Sequence, residues 1–224
     1  MAAMALRSPL LPITATSPRD LTERLVQLLI GLFVYGISLA MMIRGGIGLS
    51  PWDVLSVGTT LHLPIDYGTA TVAISIVVLV LWVPLRQRMG LGTVLNALLV
   101  GPSANVGLWL IPEMPNVVAG AALFLAGLVV LSIATGVYIA ADFGPGPRDG
   151  LMTGLVRVTK WKVWIVRTII EGSVLLIGWL LGGPVGVGTV IFAFGVGPLI
   201  GIFLPRITAW RARRSARLSP ALAP

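Results

Sequence analysis

Two short stretches of this chain set out the same residue types in the same order: Ser50-Pro51-Trp52-Asp53 and Gly146-Pro147-Arg148-Asp149. A small residue as cap, proline at the first helical position and a carboxylate in the first turn, against the positive dipole end, together describe a helix start. Asp53 and Asp149 are therefore either helix-start carboxylates or walls of a pathway. In the second case the helix ends would face an anion, and the carboxylates a cation or a proton. Arg148 stands where the first copy has Trp52; it neutralises Asp149, contacts an anion, or is an interfacial arginine. A further pair, Arg167 and Glu171, lies four residues apart and so projects from one helical face. An uncompensated charge inside a membrane costs several kcal/mol. The pair reads either as functional or as a structural ion pair near one end of its helix.

The elements that must hold these groups are apolar. Of 224 residues, 56% are hydrophobic and only 11% charged, with a mean hydropathy of +0.97; soluble domains carry about 25% charged residues. The apolar runs reach roughly 18 to 25 residues, which a bilayer core of ~30 Å demands of a helix. Barrel strands would instead alternate over about ten residues. The expected architecture is all-α and polytopic, with spans at Leu25 to Ile43, Thr69 to Leu85, Leu91 to Ile111, Val117 to Ala140, Val163 to Leu181 and Val187 to Leu204. Two short half helices follow the Pro-x-Asp elbows. Pro51 to His62 would be about 18 Å long, too short to cross. The first span is expected to stay as an anchor, because no small-residue cleavage site ends a signal core before it.

A net charge of +8 and a pI near 11.3 raise the question of nucleic acid, which the position of each charge answers. Arg86 and Arg88, then Arg148, Arg157, Lys160 and Lys162, then the arginines after position 205, all fall on one side of a six-span chain, together with Arg7, Arg19 and Arg24. The other side holds Arg44, His62, Asp53, Asp66 and Glu113. This is the positive-inside pattern, with both termini cytoplasmic, and it needs no nucleic acid. The tail Arg211 to Arg217 is a topology determinant or touches anionic headgroups.

Sliding the chain along itself by 96 residues aligns Gly90 to Pro102 with Gly186 to Pro198, with two glycines, Thr, Val, Ala, Val and the closing Gly-Pro identical. The same offset lays Gly48, Pro51, Asp53, Leu55 and Gly58 on Gly144, Pro147, Asp149, Leu151 and Gly154. A shared offset for two blocks indicates a duplicated unit. Three spans per unit is an odd number, so the second copy would enter from the opposite side, as an inverted repeat. The boundaries are a cytoplasmic N-terminal tail at 1–22, repeats at 23–115 and 116–205, and a basic cytoplasmic tail at 206–224.

The runs SPWDVL, PLRQRMGLGTVLNALLVG, GPGPRDGLMTGL and RTIIEGSVLLIGWLLGGPVGVGTV resemble the bacterial YczE family of multi-spanning membrane proteins, related to YitT-type proteins; the likeness covers roughly 36 to 205. The resemblance implies a place in the bacterial cytoplasmic membrane and supplies no mechanism.

No enzymatic motif is present, and no enzyme, catalytic residue, metal or cofactor is expected. There is no cysteine and a single histidine, His62, against Cys/His metal sites and thiol redox chemistry. The elbow GPGPRDG follows no strand, and its prolines lack donors for a phosphate. The functional expectation is a small-molecule or ion carrier with its site between the two repeats. The solute would meet Asp53, Asp149, Arg148, Arg167 and Glu171. Gly144 and Gly146 belong to the same site, since irregular backbone at membrane depth persists only where protein or a watery cavity satisfies it. The alternatives are a non-transporting accessory protein or a substrate-binding subunit of a larger importer. The expected partners are the lipid bilayer, an unknown small solute or ion, and a second copy of the chain or another membrane protein.

Overall fold

The structure, a computed structural model, describes residues 17–218, and every regular element among them is helical. The order is α1 (Pro18–Gly45), α2 (Pro51–Thr60), α3 (Tyr67–Trp82), α4 (Leu91–Leu110), α5 (Val117–Ala140), α6 (Pro147–Thr159), α7 (Val163–Leu180) and α8 (Val187–Leu218). Five of these, α1, α4, α5, α7 and α8, are long and apolar enough to cross a membrane. The sixth expected span, α3, has 16 residues, or about 24 Å. It stops at Trp82 rather than Leu85 because Pro84, which follows a still-helical Val83, has no N–H to donate to the helix ladder. The chain is an all-α polytopic membrane protein.

Both elbows start helices as their residue types dictate. Ser50 caps α2, its hydroxyl accepting from the Asp53 N–H, and Pro51 opens the helix. Gly146 and Pro147 do the same for α6, where glycine provides no side-chain cap. The long helices α1, α4, α5 and α8 pack together around Leu32, Leu39, Met42, Phe124, Leu128 and Val196. The short helices join α3 and α7 in a second cluster around Trp52, Val78, Trp82 and Leu151: α2 lies on α7, and α6 lies on α3. Trp82 fixes α6 by donating its indole N–H to the Pro147 carbonyl at 3.0 Å and by filling the space a side chain on Gly150 would need.

The helices of the second half recur at the sequence offset. α2, α3 and α4 begin at 51, 67 and 91, and α6, α7 and α8 begin at 147, 163 and 187, in each case 96 residues later. The tertiary contacts recur with them. The Gly188 N–H donates to the Ile47 carbonyl at 2.8 Å, and the Gly92 N–H to the Phe143 carbonyl at 2.9 Å. Gly48 (φ 120) abuts Gly186, and Gly144 (φ 109) abuts Gly90.

The arginine-rich end is not a separate tail. α8 continues to Leu218, fourteen residues past the expected end of the span at Leu204, since arginine and alanine are good helix formers. It is clasped to the start of α1. Asp20 pairs with Arg24 (2.9 Å) and with Arg211, and it accepts from the Ser215 hydroxyl at 2.6 Å. Arg214 grips Glu23 through two bonds of 2.9 and 3.0 Å. The helix α1 accordingly begins at Pro18, inside the stretch expected as a tail at 1–22; the outer parts of both expected tails lie outside the described residues.

Candidate functional site

The start of α2 and the start of α6 meet at one cleft of ≈ 110 Å³, completed by α1, α5, α7 and α8. Its polar wall carries Arg148, Asp149, Arg167 and Glu171, with the hydroxyl-bearing Tyr35, Ser50 and Thr135 beside them. Apolar lining comes from Leu131 of α5 and from Phe192, Val196 and Ile200 of α8.

Four of the seven candidate site residues thus come together. The Arg167 Nε lies 2.9 Å from Glu171 Oε1, one helical turn apart as their spacing predicts; the pair is partly open, with side-chain exposures of 42% and 25%. Its counterparts in the first half, Thr71 and Ser75, are buried, and Thr71 donates to the Ser56 hydroxyl at 3.2 Å. Asp149 accepts from the Tyr138 hydroxyl at 3.0 Å, and Tyr138 meets Tyr35 edge to face with ring centres 6.0 Å apart. The guanidinium of Arg148 lies over the Trp52 ring, 4.9 Å from its centre. Positions 52 and 148 are themselves 96 apart, so the residues between proline and aspartate in the two elbows stack on each other.

The remaining three candidates stand behind the cleft. Asp53 is fully buried and saturated, accepting from Ser50 Oγ at 2.5 Å and from the Tyr67 hydroxyl at 2.7 Å. It backs Ser50 and Trp52, which do reach the cleft. Gly144 supplies the left-handed turn that packs against Gly90. Gly146 caps α6 beside the Tyr138 hydroxyl and Asn96. Both glycines aim α6; neither lines the cavity. The sequence reading missed Thr135 and Tyr138. Their spacing of three on α5 puts two polar groups on one helical face, a weak signal in a helix that is otherwise apolar.

The cleft holds two cationic and two carboxylate side chains. Asp149 and Glu171 are the carboxylates that could hold a cation there, and among the described residues no group of three His, Cys, Asp or Glu side chains converges as a metal would need. Outside the cleft, at the beginning of α3, Asp66 accepts from the backbone and hydroxyl of Thr69 and from Asn105. These bonds hold its carboxyl down at about 2, the Thr69 N–H first among them.

Comparison with known proteins agrees with a membrane chain of this kind. It is 35% identical over 177 residues to an "Uncharacterized protein" of Haemophilus influenzae, covering 79% of this chain and 81% of that one. It is 29% identical to the "Uncharacterized membrane protein YczE" of Bacillus subtilis, covering 79% and 83%, and 26% identical to the "Uncharacterized protein YyaS" of the same organism, covering 79% and 90%. No solved structure matches it. The matching family model runs over residues 22–205, from the second turn of α1 through both elbows to Pro205 in α8, and the chain belongs to that family, described as a family of unknown function (DUF6198).

Proposed function

We propose that the chain is a small carrier built as an inverted repeat, and that its solute occupies the cleft between the two elbows. The observation that carries this reading is a difference between equivalent helix pairs. α3 closes tightly on α4: a Cβ on Gly101 would lie 2.3 Å from the Gly68 carbonyl oxygen, and the Gly68 N–H donates to Asn105 at 2.9 Å. The equivalent pair is α7 and α8, with Trp164, Gly197 and Gly201 at the corresponding positions. Trp164 is exposed, Gly197 and Gly201 face open space, and the cleft separates the two helices. One seam is shut and its counterpart is open, as alternating access around a fixed site requires.

The distribution of arginine and lysine supports a bacterial cytoplasmic membrane setting with both termini in the cytoplasm. In that orientation the open seam, at the start of α7 and the later part of α8, faces the cytoplasm. The reading is a carrier and not an enzyme: the chain has no cysteine and a single histidine, His62, which does not line the cleft.

Because the chain has no cysteine, introduced pairs report cleanly. W164C/G197C, the counterpart of Gly68 and Gly101, should cross-link when α7 closes on α8 and should stop solute flux in proteoliposomes until it is reduced. Glu171→Gln should lower flux at least tenfold with abundance unchanged. A pair that never links, together with undiminished flux in Glu171→Gln, would remove the carrier reading. The second reading, an accessory protein or importer subunit, draws on α7, which buries only Val166 and Gly178 of its own length and leaves a broad face for a neighbour. It expects flux-independent phenotypes that follow substitutions on that face.

A further inference from the structure

We infer that the solute is a small organic monocarboxylate whose charged end is received by Arg148; the inference rests on the carrier reading of the same cleft and names its substrate class. The charges of the cleft are not equally engaged. Arg167 is held by Glu171 at 2.9 Å, and Asp149 accepts from Tyr138 at 3.0 Å. Arg148 makes no hydrogen bond and no ion pair within 4.0 Å with any described residue, although Asp149 is its neighbour in sequence; its contact is the Trp52 ring beneath it. Stacking on an aromatic face leaves the in-plane N–H donors at the edge of the guanidinium available, the fork that binds a carboxylate through two parallel bonds. A guanidinium does not shed its proton in a protein. The fork therefore stays charged, with donors at the edge of the cleft that no side chain among the described residues takes up.

The rest of the cavity sets the kind of anion. Asp149 and Glu171 already balance the two arginines of the cleft, so every added negative charge meets those carboxylates; a single charge received by the Arg148 fork meets them least, and a doubly charged phosphate more. The apolar lining of Leu131, Phe192, Val196 and Ile200 offers an apolar body a surface and an inorganic ion nothing. A volume of ≈ 110 Å³ corresponds to on the order of eight water molecules, which limits the solute to a short chain or a single small ring. The head group would lie at the edge of the Arg148 guanidinium, with the tail along α5 and α8.

The test uses the full chain in nanodiscs with three probes that share one body: butyrate, butyramide and n-butylammonium. Butyrate should raise the Tm in a concentration-dependent way, and the other two should not. Arg148→Gln should weaken butyrate binding about 10- to 100-fold, the usual consequence of losing a charge-assisted bidentate contact. Arg148→Lys, which keeps the charge and loses the fork, should weaken it less and also guards against a folding defect in the glutamine variant. Equal stabilisation by butyramide or n-butylammonium, butyrate binding unchanged in Arg148→Gln, or no stabilisation by any of the three would overturn the assignment. Flux assays separate this from the carrier reading. Butyrate bound through Arg148 but not translocated leaves the site and removes the carrier, whereas translocated butylammonium leaves the carrier and removes the anion.

Discussion

Asp53 and Asp149 are equivalent in sequence, and the structure gives them different work. Both carboxylate oxygens of Asp53 are taken, by Ser50 and Tyr67, in a position with no solvent exposure. Asp149 borders the cleft and accepts from Tyr138. The tyrosines are not themselves counterparts, since 96 residues beyond Tyr67 lies Val163. Removing a buried acceptor that two hydroxyls depend on costs ~1–3 kcal/mol, so Asp53→Ala should lower unfolding stability by that order and reduce membrane abundance. Asp149→Asn, which can still accept from Tyr138, should leave unfolding nearly unchanged and act on flux. Equal unfolding midpoints for the two variants would show that the difference in partners has no energetic weight. The Pro-x-Asp pattern made both residues visible in the sequence. Their separate roles were not legible, because they depend on which distant hydroxyl arrives, and no local spacing encodes that.

Among elements, the glycines that position α2 and α6 differ from those along the open seam. At Gly90 a Cβ would sit 2.1 Å from the Phe143 carbonyl oxygen, where backbone meets backbone and nothing can give. At Gly197 and Gly201 nothing lies within 4 Å. Gly90→Ala should therefore destabilise the fold by about 1–3 kcal/mol, the typical cost of overpacking. Gly197→Leu should leave stability unchanged but obstruct closure of α7 on α8, lowering flux in the proteoliposome assay. A loss of abundance in Gly197→Leu as large as that in Gly90→Ala would contradict an open seam. The glycine blocks were legible in the sequence, because identical residues at one offset are a direct signal. The spacing Gly197-x-x-x-Gly201 is, taken alone, that of a tight helix-packing motif. Small residues permit close approach without requiring it, and only the three-dimensional arrangement tells which of the two holds.

For the whole molecule, the clasp between the two ends of the chain is the feature least visible beforehand. A run of arginines after an apolar span reads as a topology signal, and its partners, Asp20 and Glu23, lie at the other end of the sequence, about as far away as the chain allows. The energetics of the clasp are unequal. Asp20 is fully buried and serves Arg24, Arg211 and Ser215, which are nearly as buried. Neutralising it removes the buried carboxylate that Arg24 and Arg211 share, leaving Arg211 with Glu23 at 3.2 Å, and breaking one partner of such a network costs about 3–5 kcal/mol. Arg214, half exposed at 52%, pairs with Glu23 at the surface, where an ion pair contributes roughly 0–1 kcal/mol. Asp20→Asn should thus lower the unfolding midpoint sharply and free the end of α8 to proteolysis, while Arg214→Ala should do neither. Added salt should not rescue the first, because a buried pair is poorly screened. If Asp20→Asn unfolds like the wild-type chain, α8 beyond Pro205 is not held to α1, and the basic end returns to being a tail that only marks the side of the membrane on which it lies.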